Sequence, residues 1–182
     1  MSVNEKIREI DEEVILVDGE DRALGRGGKL DVHRRGELHR AFSIIVRNSA
    51  GEMLLQKRAD GKYHSGGLWT NACCGHPRPG EATDAAASRR LEEEMGFRCA
   101  LLPLGTLEYR AELDKGMIEH EFVHVFAGTY DGTVSPDPSE AADYAWRAPD
   151  MIRAEIAETP ARFSFWFRRY VDESWPIAGT AI

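Results

Sequence analysis

Residues 75–97 read "GHPRPGEATDAAASRRLEEEMGF", and the fold turns on them. The Pro- and Gly-rich start, His76 to Gly80, has the composition of a turn. Residues 83–95 then predict a helix. Thr83 or Asp84 can cap its start, Ala87, Leu91 and Met95 fall on one face at i, i+4 spacing, and Gly96 stands where a left-handed terminal residue is wanted. The helix closes on Glu92-Glu93-Glu94, carboxylates at the negative end of its own dipole, where they repel the last carbonyls. Two readings of that end stand side by side. It is either a solvated acidic terminus balanced by Arg89 to Glu93 and Arg90 to Glu94 ion pairs, or the seat of a hard cation such as Mg²⁺.

Outward from this helix the chain reads as strands mixed with helices. "EEVILVDGED", residues 12–21, is a strand running into a turn at Asp18-Gly19. "RAFSIIVRNSAGEMLLQKR", residues 40–58, is a hairpin whose apolar runs 41–46 and 53–55 are joined by Asn-Ser-Ala-Gly. Residues 58–68, "RADGKYHSGGL", predict an exposed loop, and "WTNACCG", 69–75, a short strand. "LLPLGTLEYRAE" and the alternating "GMIEHEFVHVFAGTY" predict two more strands, and residues 138–158 and 159–173 predict helices. With no repeat, linker or low-complexity tract, 182 residues suit one domain, an α/β (α+β) sandwich around a mixed sheet.

Composition narrows the function classes. Apolar residues make up 42% and charged residues 30%, an ordinary globular balance. A net charge of −8 argues against non-specific binding to nucleic acid or an anionic membrane, and leaves a small anionic substrate only if the positive pocket is local. Cys73, Cys74 and Cys99 are an odd count with no CxxC spacing. The N-terminal residues are charged without an apolar run, and no stretch reaches the roughly eighteen apolar residues of a membrane span. The expected location is the reducing cytoplasm, where a free thiol stays available.

The spacing within residues 75–97 resembles the Nudix box, G-x5-E-x7-R-E-U-x-E-E-x-G-U, where U is apolar. Gly75, Glu81, Arg89, Leu91, Glu93, Glu94, Gly96 and Phe97 are in register, and Arg90 stands where the box has a glutamate. In Nudix hydrolases that glutamate helps hold the catalytic metal, so its replacement by a cation argues against ordinary diphosphate hydrolysis. A second constellation lies in "EHEFVHVF". Period-two alternation puts Glu119 and Glu121 on the face continued by Val123 and Val125, an expensive place for two like charges without a cation or proton. His120 and His124 fall on the opposite face and need no special role. His33, His39 and His76 are three histidines that can meet the carboxylates, and His/Glu sets suit a borderline metal such as Zn²⁺ or Mn²⁺.

Taken together, "LHRAFS", "LWTNACCGHP", the altered box, "YRA", "EHE" and "FSFWF" resemble the type 1 isopentenyl diphosphate isomerases, in order from about Lys29 to Trp166. The resemblance implies a Nudix-like α/β/α sandwich and interconversion of isopentenyl and dimethylallyl diphosphate without phosphate cleavage. It implies Cys74, the cysteine directly before Gly-His, and Glu121 as the proton-transfer groups, with Tyr109 and Trp166 beside them, and leaves Cys73 as packing. It implies a Mn²⁺ or Zn²⁺ site of His33, His39, His76, Glu119 and Glu121. A Mg²⁺ carried with the diphosphate would use Glu94 and the Cys74 main chain, and the diphosphate itself Lys29, Arg58, Lys62 and Arg90. Two other readings remain at this level. A Nudix hydrolase of a nucleoside or prenyl diphosphate would have no need of Cys74, and an inactive Nudix-fold binding module would have no need of Cys74 or Glu121.

Overall fold

A computed structural model describes residues 12–172. The N-terminal segment 1–11 and Glu173, the last residue of the expected C-terminal helix, lie outside the described residues. In chain order the elements are β1 (Glu13–Val17), β2 (Ala23–Gly28), α1 (Lys29–Arg35), β3 (His39–Arg47), β4 (Met53–Arg58), β5 (Trp69–Asn71), β6 (Cys73–Gly75) and α2 (Thr83–Met95). They continue with β7 (Leu101–Glu112), β8 (Ile118–Thr129), β9 (Ala141–Arg147), α3 (Pro149–Glu158) and α4 (Phe165–Asp172). Short 3₁₀ turns occur at Asp114–Gly116 and Pro160–Arg162.

Strand β3 is the centre of the sheet. One edge pairs in parallel with β8 along its whole length, from His39↔Glu121 to Arg47↔Thr129. Its remaining pairings come in turn along the strand: β1 at His39, β6 at Phe42 to Ile44, and β4 at Arg47. β7 pairs antiparallel with the far edge of β8, and β9 and β5 with β4. The sheet is therefore mixed, as expected.

Alternation along β3 and β8 sorts the core into two layers. Ala41, Ile45, Val123 and Val125 pack on one face against Ile152 and Ile156 of α3 and Trp166, Phe167 and Tyr170 of α4. Phe42, Ile44, Val46 and Phe126 pack on the other face against Ala86, Ala87, Leu91 and Met95 of α2. Helices on both faces of one sheet make the expected α/β/α sandwich, and β6 sends its adjacent cysteines to opposite layers. Cys73 is fully buried in the α2 layer, whereas Cys74 packs against the α3/α4 layer.

Several expectations need correction. The turn at Asn48 forms, with Gly51 N–H bonded to Asn48 O at 2.9 Å, but β3 and β4 pair only at Arg47↔Met53, because β6 takes the rest of that edge. "WTNACCG" is two strands with different partners, not one. Residues 138–158 are not one helix. Ala141–Arg147 is a strand on β4, and Pro149, pre-set for a helix's first turn, opens α3. Neither Thr83 nor Asp84 caps α2; its N-cap is Ala82, with no side-chain bond. Residues 59–67 are not an exposed loop, since Ala59, Lys62, His64 and Ser65 are all buried. The strand read in residues 12–21 forms as β1, whereas β2, Ala23–Gly28, which pairs with it, had no counterpart in the sequence reading.

The far end of α2 follows its sequence reading. Gly96 adopts φ +76°, and the last helical carbonyls accept from the following segment: Met95 O from Ser135 N–H at 3.1 Å, Glu94 O from Asp137 N–H at 2.9 Å. A Cβ at Gly96 would run into the Ser135 carbonyl oxygen as well as being strained. Gly96→Ala is therefore expected to lower unfolding stability by roughly 2 kcal/mol or more, read as a lower urea midpoint at unchanged slope.

Candidate active site

The register of β3, β8 and β7 builds the centre of the site. Glu121 lies between His39, its partner on β3, and Tyr109, its partner on β7. Glu119, two residues back, shares its face. α1 supplies His33 and ends at Gly36, whose φ of +64° turns the chain back toward β3. His76 follows β6, which is held to β3 by Ser43↔Cys74. Ligand atoms of His33, His39, His76, Glu119 and Glu121 all fall within 4.8 Å of one another.

The hydrogen bonds around this group leave it short of protons. His33 Nδ1 donates to Lys29 O at 2.7 Å and His39 Nδ1 to Glu37 O at 2.8 Å, so both rings, when neutral, turn an Nε2 lone pair inward. His39 Nε2 and His76 Nε2 stand 3.2 Å apart, and His76 Nε2 is 3.0 Å from Glu121 Oε1. Burial, with His33 next, pulls the His39 pKa down to about 4, and burial and His39 hold His76 well below the usual range. Glu119 Oε2 is buried without a hydrogen-bond partner, 3.5 Å from His33 Nε2. Neutral imidazoles and an orphaned carboxylate oxygen aimed at one point fit a divalent metal of the Zn²⁺ or Mn²⁺ kind.

The two carboxyl groups differ. Burial and the neighbouring Glu119 charge push Glu121 well above the carboxylate range, and Tyr109 O–H donates to its Oε2 at 2.6 Å. For Glu119, burial acts in the same direction but is outweighed, with His64 the largest counter-influence, and the carboxyl is held well below the usual range. Tyr109 is itself pushed up by burial and by Glu121, so it keeps its proton.

Cys74 sits across the same cavity, of about 40 Å³, whose wall also includes Glu121, Tyr109, Trp166, His64 and Arg58. Burial pushes the Cys74 thiol up to about 12, partly offset by the hydrogen bond from Ser43. Its Sγ is 3.0 Å from Ser43 Oγ, which is 2.7 Å from the Tyr170 hydroxyl. Asn71 Nδ2 donates to the carbonyls of Ile44 and Cys73, which fixes Oδ1 toward the thiol, the acceptor of its S–H at 3.3 Å. Both Cys74 and Glu121 are thus pushed toward their protonated forms, on different strands lining one cavity.

Trp166 is 3% exposed, with the Arg58 guanidinium 5.4 Å from its ring centroid. A register shift between Lys57 and Arg58 aims Arg58 at this face; straight alternation would send it with Gln56 to the other. The remaining cations expected at a diphosphate are not in the cavity wall and are held by carboxylates. Lys29 pairs with Glu12 at 2.7 Å, with its Nζ 5.0 Å from the Tyr63 ring centroid. Lys62 and Arg90 share Glu140, whose pKa, despite burial, is drawn down to about 2 by Arg90 and Lys62. Glu94 accepts from Arg90 at 2.7 Å and from Gln56 at 3.0 Å, away from the cavity wall. The i, i+4 pairs read in the sequence both form. Glu81 of the box clamps Arg89 through two bonds, at 2.8 and 2.9 Å.

Sequence reasoning missed His64, Ser43, Asn71, Tyr170 and Glu140. Ser43 carried a signal, a lone hydroxyl on the site face of an apolar strand. His64 was hidden by its Gly- and charge-rich surroundings. His120 and His124, on the other face, pair with Glu108 and Asp21.

The NUDIX domain model matches residues 37–167. A solved structure from Deinococcus radiodurans superposes with a TM-score of 0.74 at 19% identity, over 90% of this chain and 99% of that one, a likeness of fold. The isopentenyl-diphosphate Delta-isomerase of Burkholderia multivorans is 50% identical over 91% of this chain and 94% of its own length. That of Pectobacterium atrosepticum is 50% identical over 86% of this chain and 87% of its own. Identity of this extent over nearly the whole length, on a NUDIX domain, places the chain in the isopentenyl-diphosphate Delta-isomerase family.

Proposed function

We propose that the chain interconverts isopentenyl and dimethylallyl diphosphate with Cys74 and Glu121 as the proton-transfer pair. The observation that carries this reading is the placement of two groups able to exchange a proton, a thiol on β6 and a carboxyl on β8, in the wall of one cavity, where one is deprotonated when the other acts as the acid. Moving the double bond requires a proton on the terminal alkene carbon, which leaves a tertiary cation, and loss of a proton from the methylene between that cation and the diphosphate-bearing carbon, so that no proton is gained or lost overall. Two groups from different strands can give and take without either rotating. Tyr109 holds Glu121 in place by its 2.6 Å bond, and Asn71 and Ser43 hold the thiol. The Trp166 ring offers a π face to the cation, and burial keeps out water that would trap it.

His33, His39, His76, Glu119 and Glu121 would hold Zn²⁺ or Mn²⁺, which supplies positive charge that lets two neighbouring carboxyl groups share a buried site. Arg58 binds the diphosphate from the cavity wall. Lys29, Lys62 and Arg90, now paired with Glu12 and Glu140, would exchange those carboxylates for phosphate oxygens, and Glu94 with the Cys74 main chain would serve the accompanying Mg²⁺. The reducing cytoplasm suits a chain whose three cysteines are free. Among the described residues no helix is long and apolar enough to cross a membrane.

NMR in D₂O with Mg²⁺ is expected to show dimethylallyl diphosphate forming from isopentenyl diphosphate with deuterium incorporated. Release of phosphate without exchange would instead mean a hydrolase. Cys74→Ala and Glu121→Gln are each expected to cut kcat at least about 100-fold, whereas Cys73→Ala, on the opposite layer, keeps most of the turnover. Chelation at the His/Glu group is expected to abolish activity, and added Zn²⁺ or Mn²⁺ to restore it.

A further inference from the structure

Of the 6 histidines, three belong to the ligand group and two pair with carboxylates on the far face of the sheet. His64 is left. It is 2% exposed, on the segment between β4 and β5, and its Nε2 is 2.9 Å from Glu119 Oε1. Nδ1 lies 3.2 Å from Ser65 Oγ. A serine hydroxyl donating to Nδ1 leaves the proton of a neutral ring on Nε2, so Nε2–H donates to the carboxylate. Glu119 therefore has one oxygen anchored and the other, Oε2, orphaned toward the metal group.

The imidazole is not free to move away. Ser65 N–H donates to Asp114 Oδ1 at 2.8 Å, and Lys115 Nζ to Lys62 O at 2.9 Å, so the turn between β7 and β8 grips the segment on both sides of His64. Ser65 is held at φ +52°, a conformation a non-glycine residue keeps only when its surroundings fix it. The His64 ring also meets Trp166 edge-on, with centroids 5.8 Å apart, and its carbonyl accepts from Arg58 at 3.2 Å.

We propose that His64 is a positioning residue of the metal centre, anchoring Glu119 through Oε1 so that Oε2 alone is presented to the metal. The inference rests on the reading of the His/Glu group as a metal centre. A ligating carboxylate with a second hydrogen-bonded oxygen is oriented before the metal arrives, and loss of such a partner commonly weakens binding about 10–100-fold.

The test titrates the metal-stripped full chain with Co²⁺, following both affinity and the visible d–d bands, which report ligand geometry. His64→Ala is expected to bind Co²⁺ about 10–100-fold more weakly with altered bands, and His64→Gln, which keeps an N–H donor, to regain most of the affinity. Wild-type affinity and bands in His64→Ala would overturn the proposal. If circular dichroism shows that His64→Ala does not fold, His64→Phe, which fills the space but donates nothing, gives the same two outcomes. No Co²⁺ binding by the wild-type chain would overturn the metal centre itself and this inference with it, a result distinct from wild-type binding that the variants leave unchanged.

Discussion

The parallel register of β3 on β8 is the constraint on which the site depends. His39↔Glu121 on one edge of β8 and Tyr109↔Glu121 on the other fix three functional side chains at a single level of the sheet. A slip of one residue in either ladder would turn Glu119 and Glu121 toward α2 and bring His120 and His124 to the cavity, exchanging a donor set for two surface histidines. The long apolar runs of both strands forbid that slip, because it would also exchange the two core layers. Core packing and site geometry are therefore one constraint, enforced by Val123, Val125, Ile44 and Val46 as much as by the polar groups.

Burial of Glu119 and Glu121 side by side is the main electrostatic cost of this arrangement. The surroundings meet it by making the two carboxyl groups unlike. Glu119 has His64 and His33 against it and remains an anion. Glu121 has burial and the Glu119 charge, which push it well above the carboxylate range, and accepts from Tyr109. The asymmetry supplies both halves of the proposed chemistry from one ExE sequence: a fixed anion for a metal and a group able to give and receive a proton. Cys74 is pushed the same way chiefly by burial, with the Glu121 and Glu94 charges adding to it and the Ser43 hydroxyl limiting how far its thiol is raised.

Much of this was legible in the chain because it is periodic. Alternation in "EHEFVHVF" separated Glu119 and Glu121 from His120 and His124, and the i, i+4 pattern with its terminal glycine located α2. The same logic failed at residues 138–158, where alanine and acidic residues suggested helix while pairing with β4 made Ala141–Arg147 a strand. It failed again over residues 59–67. Gly-rich, charged sequence describes backbone freedom, and says nothing of whether an Asp114 elsewhere will fold the segment inward over His64. The resemblance in "LHRAFS" and "NACCGH" could name ligand candidates, but a partner to a ligand, such as His64, has no motif of its own.

Arg90 shows how one charge changes the use of a fold. At that position it draws Glu93, Glu94 and Glu140 to itself and is held protonated by the last two despite its burial. The acidic end of α2 becomes a closed ion-pair network, in which Glu94 is further engaged by Gln56. A helix end arranged in this way has its carboxylates already balanced by a cation on the same helix, so it makes a weak case for activating water against a phosphate. Meanwhile the orphaned Glu119 oxygen and the inward imidazole nitrogens stand on the opposite face of the sheet. Cys73 and Cys74 mark that division at adjacent positions, one packed beneath α2 and the other facing the cavity. The box helix thus keeps its place in the architecture, with Glu81 and Arg89 clamped together, while the groups able to move protons gather across the sheet from it.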